Sequence, residues 1–545
     1  MNRWIAIFGL AATLGSVGGR GVEAQENTRA GLTRWVYPGY DAENYLRYLQ
    51  TLEVVPKYPW SVRAFSPLDL QQLAPQVQNH PWATGGPLKQ QTMQVGRIRV
   101  ELAPVTADGW YNTAFPFGLN DGAVWVGRGF TGQVSAGVYA TSGHVELTLA
   151  PISFWAENRR FQLAANKTPA APFADPTFPT SVDRPQRFGD HSYGRVDWGQ
   201  SRVALHALGV SAGVSSANEW WGPMTDFPFI LGNNAPGFAN VFIGTSHPIG
   251  VLVGQLHARL LYGEALQSAF SPETAGSGRR FVSGMVVALT PVWFPGLEIG
   301  ASRFFHVAWP DSGLTSKYFT HMFESFLKQG VGTVFAPSRN DPKSSTDNQL
   351  ASVFARWLLP HSGLELYGEY GREDHSSDIY DLVQEPDHAA TYGLGTRKAW
   401  RVGNNIVAAR IELMNFESST LGRHRSEGGI YLHGYSRQGH TNRGQLLATA
   451  VAVGSGAAAT VVLERFTGRG SSRVGWSRYV VREMPLDSRL TDVQHVIKVE
   501  HRRNAGQRQI ETRMAALGVF DLNRDLLRDK INFRGEVGWA WWPSR

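Results

Sequence analysis

From Gln94 onward, apolar and polar residues alternate with a period of two. Ile98, Val100 and Leu102 alternate with Arg97, Arg99 and Glu101. Leu252, Gly254, Leu256, Ala258, Leu260 and Tyr262 share one face, opposite Gln255, His257 and Arg259. Leu297, Ile299 and Ala301 alternate with Glu298, Gly300 and Ser302, and Val407, Ala409, Ile411 and Leu413 with Ala408, Arg410 and Glu412. The clearest run is the last: Ile531, Phe533, Gly535, Val537, Trp539 and Trp541 against Asn532, Arg534, Glu536, Gly538 and Ala540. Successive side chains of a strand point to opposite faces, so each run predicts a β-strand with one apolar side. Ala351–Leu358 passes through Pro360-His361-Ser362-Gly363 into Leu364–Gly371, which predicts antiparallel neighbours. The uncharged stretch Leu446 to Leu463 reads as another hairpin, broken at Gly454-Ser455-Gly456.

A soluble sheet with one wet face gives the same alternation. Three features favour lipid on the apolar side. Arg and Glu recur together on the polar side, strand after strand. Aromatics stand near strand ends, as at Trp357, Trp539, Trp541 and Trp542. Many apolar-face residues are Gly or Ala, which would leave voids in a packed core but not against acyl chains. The composition, with 59 Gly, 18 Trp, 17 Tyr and 28 Phe, agrees. Strands in lipid must close on themselves. About 450 residues at ~25 per strand and loop predict roughly 16–20 strands.

The N-terminal region has a different pattern. Arg3, the apolar or small run Trp4–Val17, and Val22-Glu23-Ala24 form an export signal cut after Ala24. Asp41 is expected to cap a helix carrying Tyr45, Tyr48, Leu49 and Leu52, and Ser66-Pro67 to start a second that ends near Pro75. The division is therefore 1–24 signal peptide, 25–93 helical plug region and 94–545 barrel. The fold class expected is an all-β transmembrane barrel with a small N-terminal helical plug.

Other chemistry narrows quickly. With no Cys, disulfides, thiolate nucleophiles and Cys-bound metals are excluded. The 52 Lys+Arg against 45 Asp+Glu form no basic stripe, so nucleic acid is not expected as a partner. Gly209-Val210-Ser211-Ala212-Gly213 fits G-x-S-x-G but lacks the strand-to-helix context of a nucleophile elbow, so Ser211 is read as non-catalytic. Glu373-Asp374-His375 and Asp387-His388 lack metal-site spacing and read as solvated loop. No cofactor is expected.

Several ordered segments resemble the Wzi family of capsule-assembly outer-membrane proteins. They are Tyr58-Pro59-Trp60-Ser61-Val62-Arg63, Ser215 through Trp220-Trp221-Gly222-Pro223, Asn233-Asn234-Ala235-Pro236-Gly237-Phe238, Asn348-Gln349-Leu350 through Leu364–His375, Glu385-Pro386-Asp387-His388, Tyr431-Leu432-His433-Gly434 and Arg437–Gln445. The resemblance implies about 18 antiparallel strands plugged by a small helical bundle. It also implies a non-enzymatic, lectin-like role that tethers exported polysaccharide at the surface of a Gram-negative-type cell.

Candidate carbohydrate contacts follow from side-chain chemistry. Trp220 and Trp221 can stack on sugar rings, and Asn218, Asn233 and Asn234 can bond hydroxyls. His433, Arg437, His440 and Arg443 suit an acidic glycan. The alternative for both groups is structural: the first folds a plug or interior loop, and the second joins an ion-pair network with Glu365, Glu369 and Glu412. The expected partners are extracellular polysaccharide and outer-membrane lipid, with the chain a monomer. The rival functions are a porin-like channel for sugars or small solutes and a barrel-borne lipase.

Overall fold

Glu298 is 1% exposed, whereas Ile299 beside it is 42% exposed. This inversion recurs along the sheet. In Asn405–Asn415, Arg410 and Glu412 are buried and Ile411 and Leu413 exposed. In Ile531–Trp541, Arg534 and Glu536 are buried, and Phe533 and Trp539 face outward. Val353, Leu394, Leu463 and Val499 continue the exposed apolar wall. Burying charge while exposing Leu and Phe is unfavourable in water and favourable when hydrocarbon lies outside and a polar interior within.

The computed structural model describes residues 32–75, 79–83, 87–88, 92–166, 168–270, 278–323, 347–373, 383, 386–387, 389–417, 429–434, 437–448, 452–482, 492–504, 510–521 and 531–542. Among them, twenty-four strands form one antiparallel sheet. From Gly254 to Trp541 each strand pairs with the next strand of the sheet, as in Leu297↔Trp357 and Ile406↔Phe466. Ile531–Trp541 then pairs with Val105–Asn112, Trp541 against Val105. No described helix is long and apolar enough to cross a membrane.

The connections divide by length. Turns such as 143–144, 208–209, 403–404 and 468–469 lie at one end, beside Ile98 and Trp541. Segments 113–128, 157–192, 216–238 and 416–456 join strands at the other. The expected turn after Leu359 is a single 3₁₀ turn, Pro360–Ser362, closed by left-handed Gly363. A Cβ there would stand 2.3 Å from the Ala399 carbonyl, so only Gly fits.

Helix α1, Asp41–Thr51, and helix α2, Pro67–Gln72, form the N-terminal unit. Tyr40, not Asp41, is the N-cap of α1, and it offers no side-chain bond. Asp41 is the first helical residue, freed for contacts with the sheet. Helix α2 starts as expected: Ser66 and Asp69 make a reciprocal capping box with Pro67 at the first position. Tyr45, Tyr48, Leu49, Trp60 and Trp82 pack with Ala399, Ile406 and Phe466 of the sheet, Tyr45 and Trp82 with ring centres 4.1 Å apart.

Three expectations on local structure are corrected. Leu446 to Leu463 is not a hairpin: Leu446 closes the short ladder of Thr441–Asn442 with Gln445–Leu446, Leu447–Ala448 and Ala452–Val453 are buried loop, and the long strand starts only at Ala457. Its apolar first part packs within the long-loop core, which gives it a strand-like composition without a long strand. Trp542 does not join the exposed aromatics; it is buried with Trp35 and Tyr139. Glu373 is not solvated loop: it ends strand Leu364–Glu373, buried, and accepts from Asn348 Nδ2 at 2.9 Å and from the Tyr431 amide. Asp374, His375 and His388 lie outside the described residues.

Candidate functional site

The N-terminal unit and the long loops cover the polar side of the sheet. Rows of inward carboxylates hold them. Glu298 accepts the amides of Trp60 and Ser61 at 2.8 and 2.9 Å. Glu365 binds Arg47 Nε at 2.8 Å and Arg356 Nε at 3.0 Å. Asp41 meets Arg473 at 3.1 Å and Arg502 at 2.6 Å. Burial opposes the Asp41 charge, but the two guanidiniums outweigh it and hold the carboxyl below the usual range.

The long loops are pinned in the same way. Glu412 receives the amides of Thr225, Asp226 and Phe227, each at 2.8 Å, and the Tyr367 hydroxyl at 2.8 Å. Arg259 pairs with Glu219 at 2.6 Å. Gly222, at positive φ, passes so close to Glu369 that a Cβ would lie 2.6 Å from its carboxylate. Loop 216–238 is thereby fixed across the interior.

Between the N-terminal unit, this loop and the sheet lies a cavity of about 500 Å³. Asn218, Trp220 and Asn233 meet on its wall. Asn218 donates to the Gly232 and Ala235 carbonyls at 3.2 and 2.9 Å, and Trp220 to the Met224 carbonyl at 2.9 Å, beneath the Arg63 guanidinium. Trp221 is fully buried elsewhere, edge-on to Phe304. Asn234 bridges the Leu446 carbonyl and the Asn120 amide. His440 is buried against His306 and the Ile230 carbonyl. His433, Arg437 and Arg443 are partly exposed on the last long loop, away from the cavity.

Sequence reasoning did not single out the charged side of this cavity, which includes Asp41, Lys498, Arg502 and Arg513. The signal was present in the two-residue rhythm, since Arg502 and Arg513 occupy inward positions on paired strands, register partners across the sheet. Ser211 lies mid-strand in Val210–Ser215, paired on both sides, without a nucleophile elbow.

A greasy outer wall around a charged, loop-filled interior defines the outer-membrane β-barrel class. A family model described as capsule assembly protein Wzi matches residues 103–476, and the chain belongs to that family. Among solved structures, Wzi of Escherichia coli, an outer-membrane protein involved in group 1 capsule assembly and described as a carbohydrate-binding β-barrel, aligns over 93% of this chain and 99% of its own, with a TM-score of 0.60 and 14% identity. Pseudomonas aeruginosa OccK2 in complex with glucuronate aligns over 81% and 97% at a TM-score of 0.41 and 10% identity. A BenF-like porin of Pseudomonas fluorescens aligns over 82% and 99% at 0.39 and 8%. No curated protein matches the chain in sequence.

Proposed function

We propose that this chain is a monomeric, closed barrel of eighteen strands, anchored in outer-membrane lipid, that attaches capsule or other exported polysaccharide to the cell surface without covalent chemistry. Closure is supported by the Trp541↔Val105 register, which brings the last strand against the first long one. The count is supported by five kinks that divide continuous strands, at Pro104, Ala136-Gly137, Ala150-Pro151, Trp198–Ser201 and Ser246–Pro248. Joined across these kinks, and with the short Thr92–Val95 set aside, the twenty-four segments make eighteen. The N-terminal unit fills the short-turn end, which in such barrels faces the periplasm, and the long loops face outward.

The observation that carries the polysaccharide role is the pinning of the outward loops by buried carboxylates, above all Glu412 on Thr225–Phe227. A porin leaves its lumen open; here the loops form a fixed, capped surface. A rigid surface loses little entropy on meeting a polymer, and weak contacts repeated along the chain add up. His433, Arg437 and Arg443 are assigned as glycan contacts because they retain exposure on these loops. Asn218, Trp220 and Asn233 are assigned to the separate, sugar-sized cavity between the N-terminal unit and loop 216–238, and Trp221, Asn234 and His440 to holding the loops in shape.

The test is cell-bound against released polysaccharide in a deletion strain. Complementation with the wild-type chain restores attachment. Complementation with a His433→Ala/Arg437→Ala/Arg443→Ala variant leaves most polymer in the medium. Attachment unchanged by the deletion would end this reading.

A further inference from the structure

Three arginines stand at the long-loop ends of neighbouring strands, directly beside outward-facing aromatics. Tyr111, Phe130 and Trp155 lie one residue from the ends of Val105–Asn112, Gly129–Ser135 and Ile152–Ala156, and all three are exposed. Tyr111 is the register partner of Phe130, and Trp155 of Gly132. Phe130 lies over Gly109 and Gly132, where a Cβ would come within 3.3 and 3.1 Å of its ring. The wall here is an aromatic platform. Lipid-facing Tyr and Trp settle at the depth of the headgroups, so polar groups directly beside them meet phosphate.

The groups beside them are Arg128, Arg159 and Arg160. The Arg159 amide donates to the Arg128 carbonyl at 2.9 Å, and Arg128 donates to the Arg160 carbonyl and, at 3.1 Å, to that of Thr113. The three are thereby held together. Arg159 Nη1 reaches the Tyr111 hydroxyl at 3.4 Å.

Charge at this rim is unbalanced. Arg128 gives its donors to carbonyls, which leaves its charge in place. Arg159, 51% exposed, pairs with Glu157 at 2.7 Å. Arg160, 75% exposed, pairs with Asp190 at 3.3 Å, and Arg187 takes the same Asp190 oxygen at 3.2 Å. Four guanidiniums thus face two carboxylates. Exposed ion pairs contribute little. A phosphate dianion, which takes the guanidinium fork bidentately, displaces them.

We propose that Arg128, Arg159 and Arg160, with the platform of Tyr111, Phe130 and Trp155, form a binding site for a phosphorylated lipid of the outer leaflet. The guanidiniums take its headgroup phosphate, and its acyl chains lie along the aromatics. This deepens the lipid-anchoring reading above and rests on it.

Native mass spectrometry of the detergent-folded full-length chain tests it with three probes: bis-phosphorylated lipid A, the same lipid with both phosphates removed, and its deacylated, bis-phosphorylated disaccharide. Arg159→Gln/Arg160→Gln is compared with wild type; Arg128 is kept because it holds the loop. The control is Arg465→Gln/Arg469→Gln, which removes the same charge from exposed positions near the short turns. Wild type retains one phosphorylated lipid, at least about tenfold more tightly than either other probe. The Arg159/Arg160 variant loses about tenfold of that affinity and the control loses none. Flotation with phosphatidylcholine vesicles separates the two readings, since all three proteins should insert. A chain that inserts but holds the three probes alike, or loses as much in the control as in the Arg159/Arg160 variant, overturns this site alone. A chain that does not insert overturns the lipid anchor and the site with it.

Discussion

His306 Nε2 lies 2.6 Å from His440 Nδ1, and one proton arrangement satisfies the whole chain of contacts around them. Arg280 donates to His306 Nδ1 at 3.1 Å, His306 Nε2–H donates to His440 Nδ1, and His440 Nε2–H donates to the Ile230 carbonyl at 2.5 Å. Both imidazoles are therefore neutral. The relay ties the loop bearing His440 to the strand Leu297–Ala308 and to loop 216–238.

Acidification breaks this relay. Burial, with Arg280 nearby, lowers the His440 pKa to about 3, although the Ile230 carbonyl acts the other way. The unfolded chain binds the proton below about 6.5 and the folded chain does not. Stability is therefore full above that pH and falls by about 1.4 kcal/mol per unit as pH drops toward the folded value. Urea unfolding in detergent should show about 2 kcal/mol lost between pH 6.5 and 5, with a flatter profile for His440→Gln. Equal slopes for the two proteins would refute the relay.

Glu412 should be the loop anchor whose loss is felt most. Glu412→Ala leaves three amides and the Tyr367 hydroxyl without their acceptor, a loss of about 2–4 kcal/mol. Glu412→Gln, which keeps one oxygen, should lose less. Amide exchange at Thr225, Asp226 and Phe227 should accelerate in the Ala variant while exchange in the flanking strands is unchanged. Undisturbed protection at those three amides would count against the anchor.

The N-terminal unit should detach at Asp41. Asp41→Asn removes one of the charges that Arg473 and Arg502 answer, leaving two partly buried guanidiniums with only their sheet carboxylates, a cost of about 1–2 kcal/mol. The emission of Trp35, Trp60 and Trp82 should then shift red at lower urea than in wild type, ahead of loss of sheet. A single transition at the wild-type midpoint would mean that Asp41 does not hold the unit.

Much of the sheet was legible because the two-residue period survives inversion: Glu298 and Ile299 alternate whichever side is wet. The helices were legible from Ser66-Pro67 and the spacing of Tyr45, Tyr48 and Leu49. The interior loops were not. Leu447–Ala448 reads like a strand and Trp220-Trp221 like an exposed stacking pair because a loop folded onto the inner side of the sheet is as apolar as a core. Asp41 looked like a cap because Asp before an apolar stripe usually is one; here its carboxyl is used by two arginines more than 400 residues away in sequence. Trp542 followed the aromatic pattern of its strand, but it lies past the last ladder pair and turns inward.

The outer wall should reject charge. Leu394→Arg or Leu463→Arg, on the exposed apolar face, should cost about 2–4 kcal/mol when the chain is folded into bilayers, while the same change at Val402, beside a short turn, should cost at most about 1 kcal/mol. Equal cost at the three positions, measured by urea unfolding from vesicles, would argue against a lipid-facing belt.

The absence of cysteine from the chain lets single labels report directly which side of the sheet meets lipid. Single cysteines along Asp347–Leu359 and Ala457–Thr467, spin-labelled and reconstituted in lipid, report oxygen against water-soluble nickel complex. Collision with oxygen should peak at Val353, Ala355, Val461 and Leu463 and drop at Ser352, Phe354, Val462 and Glu464, in strict alternation. Labels at the first four positions that prefer the aqueous reagent would contradict the account.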